Sequence, residues 1–167
     1  KAAYDATGQL STLTFIDAED YPAAFLARVE ARLRQMPVEQ KLVEGVPATF
    51  DTGILVSLTI TPKAGGADAR IDDIAHSPGI VRKAVVRYPS DLARIEGWKG
   101  TVVAQCTVDV AGRCGPVEIV REDPGMPESG RRFAKDSLAR WRFEPQRVAG
   151  KPVTSVVRIP FHLQTRT

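Results

Sequence analysis

Tyr88-Pro89, Gly100-Thr101-Val102-Val103, Asp109-Val110-Ala111-Gly112 and Trp141-Arg142-Phe143-Glu144-Pro145 follow one another in the second half of this 167-residue chain, and their order decides the fold. Residues 100–108 read as a strand and 114–121 as its partner, joined by the Asp109-x-x-Gly112 turn. Pro127 suits the start of a helix, because the N–H it lacks would have no partner in a first turn. Phe133, Ala134, Ser137, Leu138 and Trp141 then recur at helical spacing, with Arg131, Arg132, Lys135 and Arg140 outside that face. The helix therefore lies on a sheet, with the Trp141 indole as a core anchor. Residues 146–151 turn, and 153–163 alternate as a long closing strand. Pro160 cannot donate to a ladder, which places it at a sheet edge or near a strand end.

Composition bounds what this unit can do. An apolar share of 43% over 167 residues supports a core in one large or two small domains. The net charge of +3 is small and both signs are interspersed, so no nucleic-acid partner is expected. No apolar run approaches the roughly 20 residues that cross a bilayer, and no leader opens the sequence, which reads as a soluble fragment or mature protein. His76 and His162 lie far apart without a nucleophile motif and read as solvent-facing. Asp72-Asp73 and Glu122-Asp123 read as turn carboxylates. Glycine turns lack the strand–glycine–helix order of phosphate loops, and two cysteines without Cys-x-x-Cys make no metal site. Neither catalytic residues nor a metal nor a cofactor is expected.

The first half has elements of its own. Residues 10–16 suit a strand, and 18–36 a helix with Tyr21, Phe25, Val29, Leu33 and Met36 on one face, capped by Asp17 or Asp20 and stopped by Pro37. Residues 37–52 read as a long connection. Residues 53–61, with Ile54, Val56, Leu58 and Ile60 on one face, pair with 69–75 as a hairpin across Pro62 to Gly66. Tyr21-Pro22 matches Tyr88-Pro89, residues 53–56 match 100–103, and Ser77-Pro78-Gly79 matches Asp123-Pro124-Gly125, in the same order. That series points to an internal duplication whose first copy is degenerate, with strand 10–16 filling its sheet as an edge. The expected fold class is α+β, in two units, 1–84 and 85–167, each an antiparallel sheet packed against helix.

The series from Tyr88-Pro89 to Trp141-Arg142-Phe143-Glu144-Pro145 resembles the C-terminal domain of TonB proteins, clearly over residues 88–163 and in degenerate form over 10–87. The resemblance implies a periplasmic module, its full-length protein anchored in the inner membrane. Such a module takes up the TonB box peptide of an outer-membrane TonB-dependent receptor by β-strand addition, and transduces energy for transport from an inner-membrane energy-harvesting complex reached through N-terminal segments. It places partner binding on the last strand, at Val156, Arg158 and His162, and on Val85, Val86, Arg87 and Tyr88. Polar residues, glutamine especially, are usual at the latter place, whereas Ala84-Val85-Val86-Arg87 is mostly apolar and can itself be read as a strand. Edge pairing between copies would give a homodimer. The other reading is a soluble periplasmic tandem module for binding or sensing, without energy transduction. Cys106 and Cys114 flank one turn: opposed across the hairpin they lie within disulfide range, and one residue out of register they are separate thiols. A periplasmic setting favours the disulfide.

Overall fold

The computed structural model describes residues 1–16, 18–36, 38–64, 66–84 and 86–165. Along the chain run β1 (Ala2–Tyr4), β2 (Leu10–Leu13), α1 (Ala23–Gln35), β3 (Lys41–Val43), β4 (Val46–Ala48), β5 (Phe50–Lys63), β6 (Gly66–Ser77) and β7 (Gly79–Arg82). They are followed by β8 (Lys99–Val108), β9 (Glu118–Glu122), α2 (Glu128–Arg140), β10 (Arg142–Glu144), β11 (Arg147–Val148), β12 (Lys151–Pro152) and β13 (Ser155–Gln164). The fold is α+β, with antiparallel sheets and two α-helices among the described residues. Two compact units form: Lys1–Gly79 with Gln146–Val153, and Ile80–Pro145 with Thr154–Thr167.

In the first unit α1 follows Pro22, and Phe25, Val29 and Leu33 recur every fourth residue, so one stripe is buried against Ile74 and the β5 residues Ile54, Val56 and Leu58. No side chain caps this helix; Asp20 lies in a separate 3-10 turn, Ala18–Asp20, and Asp17 and Pro37 fall outside the described residues. Residues 37–52 are more than a connection. Glu44 and Gly45 both take positive φ, 52° and 80°, and close the β3–β4 hairpin, after which β5 begins at Phe50. β5 pairs with β1 at its first residues and with β6 from Gly53 onward. Strand 10–16 is shorter than expected, and its ordered part, β2, is the sheet's outer strand beside β1.

His76 is not solvent-facing. It is half-buried, its Nε2 lies 2.7 Å from the Tyr4 Oη, and its ring packs edge-on against Tyr4 and Phe50. Burial, and after it the nearby Lys41 ammonium, pushes its pKa below the ordinary value.

In the second unit β8 is central, between β13 and β9. Val102, Ala104, Cys106 and Val108 on β8, and Val157, Ile159, Phe161 and Leu163 on β13, are all buried, alternating as a one-sided sheet requires. α2 covers them through Ala134, Ser137 and Leu138. Trp141, one residue past the helix, is buried against Phe143 and Phe161, with Lys83 Nζ 5.5 Å from the indole centre.

The β8–β9 connection is fixed by Asp109. Its backbone N–H donates to Arg113 O, its carboxylate accepts the N–H groups of Ala111 and Arg113, and Gly112 returns a bond to its carbonyl. These bonds, that from Arg113 foremost, hold the Asp109 carboxyl below the usual range. Gly112 has φ 76° and lies so close to Phe143 O that any Cβ would collide, so only glycine fits. Cys106 and Cys114 are joined in a disulfide, Cα to Cα 5.8 Å. Cys114 stands opposite Val108, so the bond links diagonal neighbours and not directly opposed residues.

Three sequence expectations change. Residues 146–153, read as a turn and strand start of the second unit, belong to the first: β11 extends its sheet at Phe50 and Asp51 of β5, and Gln146 Nε2 donates to Thr52 Oγ1. Residues 84–87 form no strand where described; the strand in that region is β7, which pairs with β10. The matched segments of the two halves take unlike places. Tyr21-Pro22 leads into a 13-residue helix, whereas Tyr88-Pro89 leads into one 3-10 turn, Leu92–Arg94. Residues 53–56 and 100–103 both lie in strands that begin a hairpin, β5–β6 and β8–β9, but β5 follows the helix of its unit whereas β8 precedes α2.

Candidate functional site: the open edge of the second sheet

A three-stranded sheet has two edges, and here they differ. β9 is short, carries a bulge at Val120 opposite Val103 and Ala104, and presents Glu122, which accepts two 2.6 Å bonds from Arg131. Bulges and fixed charges are the usual ways of blunting an edge. β13 pairs with β8 over ten residues without a break in register, and among the described residues no strand lies on its other side.

The outward-pointing groups of β13 follow from the ladder. Thr101 O accepts from Asp123 N–H and Thr107 O from Gly115 N–H, so odd-numbered residues of β8 turn toward β9 and even-numbered ones toward β13. In an antiparallel pair the residues facing the partner alternate. With Val108 opposite Ser155 and Cys106 opposite Val157, odd-numbered residues of β13 are spent on β8. Val156, Arg158, His162 and Gln164 therefore aim both N–H and C=O outward, and Pro160 offers a carbonyl only. Proline sits at one of the positions where its missing N–H breaks no internal bond.

The side chains of Val156, Arg158 and His162 share the face opposite α2, and all three are exposed. Arg158 Nε donates to Gln105 Oε1 at 2.6 Å, and His162 Nδ1 lies 3.1 Å from Thr101 Oγ1, so cross-strand neighbours on β8 hold both. The other predicted segment approaches from the α2 face. Tyr88 packs on Phe133 at 5.7 Å, and Phe133 in turn meets Phe161 edge-on. The Tyr88 hydroxyl is buried without a hydrogen-bond partner, and burial, then the Asp91 carboxylate, pushes its pKa up. Val86 is half-buried and Arg87 exposed; Val85 lies outside the described residues. The three β13 residues named from the sequence share one face; Gln164, which the sequence did not single out, also turns its backbone amide outward, a matter of parity that no side-chain pattern records.

Among the described residues no group of three or more His, Cys, Asp or Glu is arranged to hold a metal ion, and no helix is long and apolar enough to cross a membrane. No curated protein matches the chain. A family model does: residues 84–163 match the Gram-negative bacterial TonB protein C-terminal family. That span takes in β8, β9, α2, β10 and all but the last residue of β13, the elements that build the open edge. Proteins of this family are periplasmic, associated with transport, and interact with outer-membrane receptors. Residues 84–163 of this chain are accordingly a TonB C-terminal family domain.

Proposed function

We propose that this domain, without chemistry of its own, takes up the extended box peptide of an outer-membrane receptor along β13 and transmits energy for transport through it. The observation that carries this reading is the row of outward backbone groups at Val156, Arg158, His162 and Gln164 on an unbulged strand. Strand addition draws affinity from such main-chain groups and selectivity from alternate side chains. Val156, Arg158 and His162 give an arriving strand an apolar, a cationic and an imidazole neighbour on one face. Arg87 is the exposed member of the second predicted contact, and Val86 and Tyr88 support it from partly buried positions. An inner-membrane energy-harvesting complex would act on segments outside this sequence. Adding a receptor-box peptide should shift the amide resonances of Val156, Arg158, His162 and Gln164 and slow their exchange. No response there to any receptor peptide of the same organism would leave the soluble tandem binding or sensing module as the better reading. A concentration-dependent response without peptide would point to edge-paired homodimers.

A further inference from the structure

The first unit repeats the second in a register that the sequence matches concealed. Its sheet contains the order β5–β1–β2, with α1 between β2 and β5; the second has β13–β8–β9, with α2 between β9 and β13. Asp5 repeats the Asp109 turn bond for bond. Its N–H donates to Gln9 O, Gly8 N–H donates to its carbonyl, and its carboxylate accepts from Thr7 and Gln9 N–H. Gly8 has φ 82° against 76° for Gly112. Each hairpin carries a bulge on its second strand, and each helix has 13 residues.

From the helix onward the spacing is constant. Pro22 and Pro127, Leu33 and Leu138, Gly45 and Gly150, and Phe50 and Ser155 each stand 105 residues apart. Glu44-Gly45 and Ala149-Gly150 share the same pair of positive φ angles, 52° and 80° against 49° and 73°. Tyr4 opposes Phe50 as Val108 opposes Ser155, each one residue before its Asp. On this spacing Gly53, Leu55, Ser57 and Thr59 of β5 stand for Arg158, Pro160, His162 and Gln164 of β13.

The two strands differ in what lies on that edge. Ala149 N–H donates to Thr49 O, so odd-numbered residues at the start of β5 face away from β1, toward β11, and β6 pairs along β5 from Gly53 onward, where the pairing with β1 and β11 has ended. β6 runs antiparallel along it, Ser77 opposite Gly53, Ala75 opposite Leu55 and Asp73 opposite Ser57.

We propose that residues 1–59 are a second copy of the same domain, and that its strand-accepting edge, on β5 from Gly53 to Thr59, is filled in cis by the chain's own β6. β6 then stands where an added peptide would lie. That such an edge accepts a strand rests on the strand-addition reading of β13. A strand tethered through the short connection after Lys63 has an effective concentration of about millimolar or more, which a free peptide at micromolar level does not match.

The test uses the full chain and a synthetic peptide with the sequence of residues 66–77, and follows amide exchange. In the unaltered protein the Leu55 and Ser57 amides should be protected and indifferent to the peptide. Asp73→Pro with Ala75→Pro removes two ladder donors, so those amides should exchange about tenfold faster or more, and added peptide should restore protection. If α1 melts in that variant, Asp73→Pro alone is read the same way. The proposal is overturned if Leu55 and Ser57 of the unaltered chain exchange as fast as Val156 and Arg158. It is equally overturned if a variant with protected Val29 and Leu33 amides takes up no peptide on β5. Receptor-peptide binding is read separately at Val156, Arg158 and His162, so its failure would leave this result standing.

Discussion

β5 and β13 are both long strands that come after a 13-residue helix in an antiparallel sheet, yet β5 pairs with β1 and β11 at its start and with β6 beyond Gly53, whereas β13 pairs with β8 alone among the described residues. β5 turns back through β6, which pairs along it from Gly53, whereas among the described residues no strand pairs along the outer side of β13. An edge is a property of the whole sheet. Two strands with the same alternation can be a filled site and an open one, depending on whether the chain supplies the next strand.

The largest expected effect tests the cores under these strands. Trp141→Ala removes an indole packed on Phe143 and Phe161 and should cost about 3–5 kcal/mol, seen as a lowered melting temperature of the second unit. Met36, which holds the corresponding place after α1, is only partly buried, so Met36→Ala should cost less. An equal or larger loss at Met36 would break the contrast. Next comes the disulfide. Reducing Cys106–Cys114, which closes a short loop, should destabilise the second unit by about 2–3 kcal/mol on the chain-entropy account, with exchange in β1 and β2 unchanged. A global loss of protection would show that the units unfold as one.

A smaller effect is expected at the edges. Val156→Pro deletes an outward N–H and no internal bond, and Arg158→Pro an outward N–H and one exposed side-chain bond to Gln105, so receptor-peptide binding should weaken about tenfold while the melting temperature barely moves. Proline at Leu55 of β5 removes a bond to β6 and should lower stability instead. The smallest effect is acid sensitivity of the first unit. His76 has a lowered pKa when folded, so the fold favours its neutral form. Stability from this site is full above the unfolded value near 6.5 and is lost as pH falls below it toward the folded value. Protection factors in β1 and β6, taken against the intrinsic exchange rate at each pH, should therefore fall under mild acid, and His76→Gln should flatten that slope.

Much was legible in the sequence because it rests on local rules. Alternation at Val157, Ile159, Phe161 and Leu163 marks a half-buried strand wherever it occurs, and the four-residue recurrence of Phe25, Val29 and Leu33 marks a helix stripe. The Asp109-x-x-Gly112 turn needs a carboxylate to gather N–H groups and a residue free to take positive φ, both visible as letters. The same signal stood at Asp5-x-x-Gly8, but the matches at Tyr21-Pro22 and Gly53 set another register and hid it. Glu44-Gly45 gives little turn signal because glutamate is an unusual residue at positive φ, leaving one glycine where a hairpin turn generally shows two permissive residues.

By itself, then, the sequence determined the two helices and the long strands, the faces they bury and the family of residues 84–163, and left the pairing of Cys106 with Cys114 to the structure. Only the tertiary structure decided that residues 146–153 join the first unit, that His76 is half-buried beside Tyr4, and that β6 runs along β5 while no described strand runs along the outer side of β13. The physical reason is range. Periodicity, turn chemistry and proline limits act within a few residues, whereas an edge is open or filled according to which backbone, distant along the chain, occupies its row of hydrogen bonds.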